Sequence, residues 1–166
     1  MDFHELLNQL HLLTSDPRKY LELCHEVVKQ NPQDRNAFFV RHQAWSTLGR
    51  NDLALADIDK AIALSEPDFF LHHSRGLVLR DLNRHQEAID EFNRSRAMDP
   101  ESWVYIFGPL HRAHSHALLG HLEEALADSA DLLDDHWTPR LHGAPGGTKR
   151  EVTEKLRQLA IAARQR

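Results

Sequence analysis

The chain repeats itself at an interval of 34 residues. Leu48 and Ala54 return as Leu82 and Ala88, each 34 positions later. This interval is typical of a helix-turn-helix unit, which cannot bury its apolar face alone and must stack on copies of itself. We therefore expect an all-α helical solenoid. Solenoids commonly present an extended surface on which another molecule is held.

Two repeats show the pattern most clearly. Both predict two antiparallel helices with apolar seams, a small residue where the helices touch, and a stop signal after the second helix. In the second repeat these positions are Phe38, Trp45, Leu48, Gly49, Ala54, Ile58 and Ala61, and the proline that stops the second helix, Pro67, comes one residue late. In the third repeat they are Gly76, Leu79, Leu82, Ala88, Phe92 and Pro100.

These residues resemble the tetratricopeptide repeat (TPR) family, whose pattern is W-x2-L-G-x2-Y, then A-x3-F, then P. Ala54-x3-Ile58 and Ala88-x3-Phe92 carry the resemblance. It implies a right-handed α-α superhelix of three to four helix-turn-helix repeats, followed by a C-terminal capping helix. The repeat domain spans residues 1–137, with repeats at about 1–34, 35–68, 69–102 and 106–137.

The fourth repeat is displaced, because Ala125 follows Ala88 by 37 residues instead of 34. In one interpretation a helix begins at Pro109, since proline suits the first turn of a helix, and residues 103–107 form an aromatic segment before it. In the other interpretation one kinked helix covers residues 102–119. A glycine directly before the proline favours the first interpretation.

The C-terminal part of the chain predicts a loop and then an amphipathic helix. Residues 138–147 are rich in proline and glycine, which is typical of a loop. Thr148 and Glu151 form a capping-box pattern, and apolar residues recur at helical spacing through 148–166. We expect this helix to cover the apolar face of the last repeat. The alternative is a basic helix that folds across the acidic remainder or docks a partner.

Composition predicts a cytoplasmic globular protein. The chain has 166 residues, of which 41% are hydrophobic and 27% charged. It has no apolar run long enough to cross a bilayer, and its start lacks the features of a signal peptide, so we expect no membrane partner. Residues 138–166 hold seven Lys or Arg against two acids, whereas residues 1–137 hold 13 against 23. The acidic balance argues against nucleic acid as the ligand, because phosphate binding needs a basic face.

The sequence contains no motif for catalysis or for a cofactor. Phosphate loops, nucleophile elbows, zincin helices and paired cysteines are all missing, and Cys24 lies in an apolar stripe typical of a core. His111 and His114 share one helix face, but a metal site needs three or four converging ligands. A run of acids at helical spacing is typical of a solvated face. These acids are Asp128, Asp131, Asp134 and Asp135.

The TPR resemblance also implies where a partner binds. In that family the first helix of each repeat lines a concave groove, and here its positions combine phenylalanine with histidine and arginine. Such residues suit an extended or helical peptide with apolar anchors. The predicted groove positions are Phe39, Val40, Gln43, Phe70, His73, Leu77, Arg80, Phe107, His111 and His114. The alternative is that some of these phenylalanines pack between helices.

One subclass of the family is disfavoured. Its members clamp the terminal carboxylate of chaperones with Lys, Asn and Arg side chains. The matching positions of this chain hold Glu5, Gln9, Val40, Phe70 and Ser74. A free terminal carboxylate would therefore meet an acid instead of a cation.

Three hypotheses follow. The leading one is a non-enzymatic interaction module that binds an unidentified peptide or protein segment in the groove, without a cofactor. The second is a scaffold or homodimer that associates through an end face or the aromatic segment 103–107. The third is a metal-dependent protein that uses His73, His111 and His114.

Overall fold

A computed structural model of the protein describes residues 16–132 and 143–165. These residues form α-helices joined by turns, with no β-strand among them. The helices are α1 (Pro17–Gln30), α2 (Arg35–Thr47), α3 (Asn51–Ala63), α4 (Phe69–Asp81), α5 (His85–Met98), α6 (Pro100–Tyr105), α7 (Gly108–Leu118), α8 (Leu122–Ala130) and α9 (Lys149–Arg164). The predicted all-α class is confirmed. Among the described residues, no helix combines the length and apolar character needed to span a membrane.

The helices α1 to α5 have 13 or 14 residues each, as stacked helix-turn-helix repeats require. α2 packs on α3 and α7 packs on α8. α2 begins at Arg35 and α4 at Phe69, so the 34-residue interval of the sequence is also the interval between helix starts. The first half of the predicted first repeat, and residues 133–142 after α8, lie outside the described residues.

The chain divides after Leu71, within α4, into two compact bodies. The N-terminal body holds two apolar clusters. One joins α1 to α2 and includes Cys24, Val27 and Val40. The other includes Phe38 and Ile58. Cys24 is the core residue that the sequence predicted, and burial raises the pKa of its thiol to about 12.

The C-terminal body is closed by α9. Val152, Leu156 and Ala160 lie along one face of this helix and are fully buried in a cluster with residues of α7 and α8. Both hydrogen bonds of the predicted capping box between Thr148 and Glu151 are present. The helix therefore covers the apolar face of the last repeat, as predicted. Without it, that end of the solenoid would be exposed to water.

The displaced region contains two separate helices. α6 ends at Tyr105 and α7 begins at Gly108, with Phe107 between them at φ +59°. This confirms the break and places the start of α7 one residue before Pro109. The expectation of an exposed aromatic segment is wrong for Trp103, which is 1% exposed, whereas Tyr105 is 76% exposed. Gly108 lies directly against the Trp103 ring, where a Cβ would clash with ring atoms. Glycine at this position therefore allows the indole to be buried against the turn.

A buried ion pair recurs in the described repeats. Each pair joins an arginine on the first helix of a repeat to an acid on the second, 16 residues later. The pairs are Arg41–Asp57, Arg75–Glu91 and Arg112–Asp128. Asp57 accepts two hydrogen bonds of 2.7 Å from Arg41. Asp128 accepts one of 2.8 Å from Arg112 Nε and a second from Nη2.

The predicted solvated face is therefore wrong for Asp128, which is only 5% exposed. Asp131 is exposed as expected. Asp134 and Asp135 lie outside the described residues. The difference arises because α8 turns Asp128 toward α7, where the guanidinium of Arg112 offsets the loss of hydration.

We expect Asp128→Ala to lower the free energy of unfolding by about 3 kcal/mol, because it leaves the buried Arg112 charge without its carboxylate. Asp131→Ala removes the same charge three residues later, at an exposed position. We expect it to change the free energy of unfolding by no more than about 0.5 kcal/mol. Urea denaturation of both variants checks this. Equal effects would mean that the buried pair contributes no more than a surface acid.

Gly76 allows α4 to approach α5. A Cβ at this position would lie 2.5 Å from Cε1 of Phe92, which is itself fully buried. We expect Gly76→Ala to lower the free energy of unfolding by about 1 to 3 kcal/mol despite the higher helix propensity of alanine. In the background of Phe92→Leu the same change should cost less, since the leucine is smaller. Thermal unfolding of the two single variants and the double variant measures this coupling, and additive effects would contradict the contact.

Candidate functional site

The N-terminal body carries an aromatic patch, formed by the half-buried Phe39 and Phe69 and the exposed Phe70. Phe70 is 40% exposed, and its ring centroid lies 5.7 Å from that of Phe39 and 6.4 Å from that of Phe69. Gln43 is exposed one helical turn after Phe39. Val40, the fourth predicted groove position in this body, is buried in the cluster with Cys24 and does not face solvent.

The start of α4 is held in place by Asp68. One carboxylate oxygen of Asp68 accepts a 2.9 Å hydrogen bond from the backbone N–H of Phe70, and the other accepts a 2.7 Å bond from Arg35 at the start of α2. Beneath the patch, the ring of His42 lies 4.7 Å from that of Phe39 and its Nδ1 bonds to the Phe39 carbonyl. These contacts fix the positions of Phe39 and Phe70 within the N-terminal body.

The C-terminal body places three other predicted groove residues in its interior. His73, Arg80 and His111 are each at most 3% exposed. The rings of His73 and His111 lie 5.4 Å apart, and Arg80 Nη1 lies 2.9 Å from His111 Nδ1. Because a guanidinium only donates, His111 Nδ1 accepts this bond and carries no proton.

Arg80 is a charged residue that is only 3% exposed. Burial lowers the pKa of its guanidinium, and the neighbouring Asp81 carboxylate, 3.2 Å from Nη2, opposes that shift. Leu77, one turn earlier on α4, is half-buried. Phe107 is also half-buried and packs against the core that α7 shares with α9. Within the described residues, no group of three or more His, Cys, Asp or Glu side chains could hold a metal ion.

A pocket of about 490 Å³ opens beside His114, between α7, α9 and the turn that precedes α9. We call it the His114 pocket. It is lined by His114, Gly143, Pro145, Lys155, Gln158, Leu159 and Ala162. His114 is 8% exposed, and its Nδ1 has no hydrogen-bond partner among the described residues. Burial, and then the charges of Arg80 and His85, lower the pKa of His114 to about 4.

Two features of the structure were not predicted from the sequence. The arginines of the repeated ion pair recur at intervals of 34 and 37 residues, the same intervals as the alanines of the repeat, so comparing the polar positions could have found them. Lys155 and Gln158 of the His114 pocket left no such signal. Their place in the site depends on how α9 docks against α7, which no spacing in the sequence reveals.

No family model matches the sequence, and no curated protein matches it. Solved structures do. MamA is similar over 99% of this chain and 96% of its own, with a TM-score of 0.68 at 15% identity. YrrB, described as a TPR protein with an unusual peptide-binding site, is similar over 78% of this chain, with a TM-score of 0.64 at 18% identity. PilW, described as a type IV pilus biogenesis factor, is similar over 75%, with a TM-score of 0.66 at 22% identity.

The chain therefore has a TPR-like fold, and the resemblance read from its repeat is confirmed at that level. It spans 66% of the YrrB chain and 56% of the PilW chain. At such low identities the likeness concerns the path of the helices and carries no binding residue from one protein to another.

We expect stability to fall as the pH falls from 6.5 toward 4. Burial lowers the pKa of both His42 and His114 from 6.5 to about 4, so in this window the unfolded chain binds two protons that the folded chain does not. The contribution of these two histidines to the free energy of unfolding is complete above pH 6.5. It decreases below that pH, by a few kcal/mol in total (about 1.4 kcal/mol per pKa unit). Urea denaturation across this range measures the slope. The His114→Asn variant should show a smaller slope of the free energy of unfolding against pH, by the equivalent of about one bound proton. An unchanged slope would contradict the burial of His114 in its neutral form.

Proposed function

We propose that the protein is a non-enzymatic interaction module that binds a peptide or protein segment along the first helices of its repeats. The observation that supports this most is the aromatic patch, in which Phe70 keeps 40% of its surface exposed at a predicted groove position. Contiguous apolar side chains that are open to water point to an interaction surface, whereas single exposed ones do not, and Phe70 contacts two further phenylalanine rings. The TPR-like fold is compatible with this role.

The patch has the properties of a binding anchor. Phenylalanine offers a large contact area while losing little conformational freedom, and paired rings provide a ridge against which an apolar side chain packs. The hydrogen bonds of Asp68 and the packing of His42 fix the geometry in advance, which reduces the entropy lost on binding. Gln43 adds a polar group that can bond to the backbone of an extended peptide.

The test is Phe70→Ala, measured against peptides selected on the wild-type protein from a displayed library of random sequences. If the patch is a hot spot, truncation should weaken binding by about 30-fold, which corresponds to about 2 kcal/mol. Fluorescence anisotropy with the selected peptides gives the affinities.

Tyr105→Ala is the matched control, since it truncates a more exposed aromatic ring outside the patch. We expect it to leave the affinity unchanged. Circular dichroism should show that both variants remain folded. Equal affinities for the two folded variants would argue against the patch as the binding surface, and a library that yields no binder would argue against the module itself.

A further inference from the structure

The polar groups of the His114 pocket are biased toward hydrogen-bond donation. Its lining includes an ammonium group from Lys155, an amide from Gln158 and an imidazole from His114, and no carboxylate among the residues that the structure describes. Lys155 uses one of its three hydrogens on the carbonyl of Gly146, at 2.6 Å, and Gln158 uses one of its two on Glu154, at 3.1 Å. Both side chains therefore retain donor hydrogens for a ligand.

His114 supplies a second observation, independent of the lining charges. His114 lines the pocket although the residue is only 8% exposed, and its Nδ1, which is closed off from solvent, has no hydrogen-bond partner among the described residues. Buried polar atoms in folded proteins are usually hydrogen-bonded, so an unpartnered one at the wall of a pocket calls for an explanation.

The electrostatic surroundings favour an anion. The positive charge of Arg80 acts on His114 strongly enough to lower its pKa. α9, which forms one wall of the pocket, carries five basic side chains against Glu151 and Glu154. A carboxylate entering here would meet a positive potential although the chain as a whole has a net charge of −5.

The remaining walls are apolar. Pro145, Leu159 and Ala162 offer carbon surface next to the donors. A volume of about 490 Å³ exceeds what a carboxylate alone requires and leaves room for the methylene groups and flanking backbone of a residue in a peptide. The combination of donors beside an apolar wall suits an aspartate or glutamate side chain better than a free inorganic anion.

We propose that the His114 pocket binds an acidic side chain of a partner peptide, with Lys155 as its charged ligand, Gln158 as a hydrogen-bond donor and the His114 ring as part of the wall beside them. The inference rests on the proposed function and adds a requirement to it: the partner carries an aspartate or glutamate within its sequence. The site differs from a clamp for a terminal carboxylate, since it lies between the last repeat and the capping helix and needs no free chain end.

The experiment compares Lys155→Gln with Arg157→Gln. Both remove one positive charge from exposed positions of α9, but only Lys155 lines the pocket. Peptides are selected from a random library displayed with blocked C-termini, and a selected peptide is then synthesised with a C-terminal amide in its acidic form and with each Glu or Asp replaced by Gln or Asn.

We expect selected peptides to be enriched in Asp or Glu. One such replacement should weaken binding to the wild type and to Arg157→Gln by about tenfold, and should have little effect on Lys155→Gln, because the partner of the carboxylate is already gone. Binding of the acidic form should weaken with added salt.

Other outcomes overturn the inference. Equal losses in both variants would mean that α9 acts only through its general charge. Binding that depends on Phe70 but not on Lys155 would leave the interaction module in place and remove the acidic anchor. If the blocked library yields no binder and the same library displayed with free C-termini does, the pocket is assigned to a chain end. No binder from either library would reject the module and the anchor together.

Discussion

The recurring pair between an arginine on the first helix of a repeat and a carboxylate 16 residues later holds each helical hairpin in register. A buried guanidinium is tolerated only where a carboxylate meets it with good geometry, so one relative position of the two helices is strongly favoured over any other. Asp57, Glu91 and Asp128 are all nearly excluded from water. With the hairpins set in this way, small residues such as Gly76 can bring the helices close, and the apolar faces are left to stack on neighbouring helices.

This arrangement divides the polar and aromatic residues of the first helices into two kinds. His73, Arg80 and His111 turn inward and contact one another, so they contribute to the interior of the C-terminal body. Phe70, and Lys155 and Gln158 of the His114 pocket, remain exposed to solvent. These side chains are accessible to a partner. Under the two proposals, the aromatic patch of the N-terminal body contributes apolar contact area, and the His114 pocket of the C-terminal body selects for charge.

Several features could be predicted because they depend on neighbours along the chain. The 34-residue interval predicted the helix pairs, the capping box of Thr148 and Glu151 placed the last helix, and Pro109 indicated the break between α6 and α7. Burial could not be predicted as well. Trp103 was expected in an exposed segment and is buried against Gly108, and Asp128 was expected in a solvated run and is buried against Arg112. In both cases the partner lies on another helix.

The sequence by itself determined the helices, their pairing and the capping role of the C-terminal segment. Periodicity, caps and breakers act between residues that are close in the chain, so they can be read without knowing the tertiary contacts. Only the tertiary structure decided which side chains are accessible. Val40 and Phe39 are adjacent in the chain, yet one is in the core and the other in the patch, because a helix rotates each residue by about 100° from the one before it. The pocket beside His114 arises in the same way, from the angle at which α9 meets α7, which is set by packing and not by any local pattern.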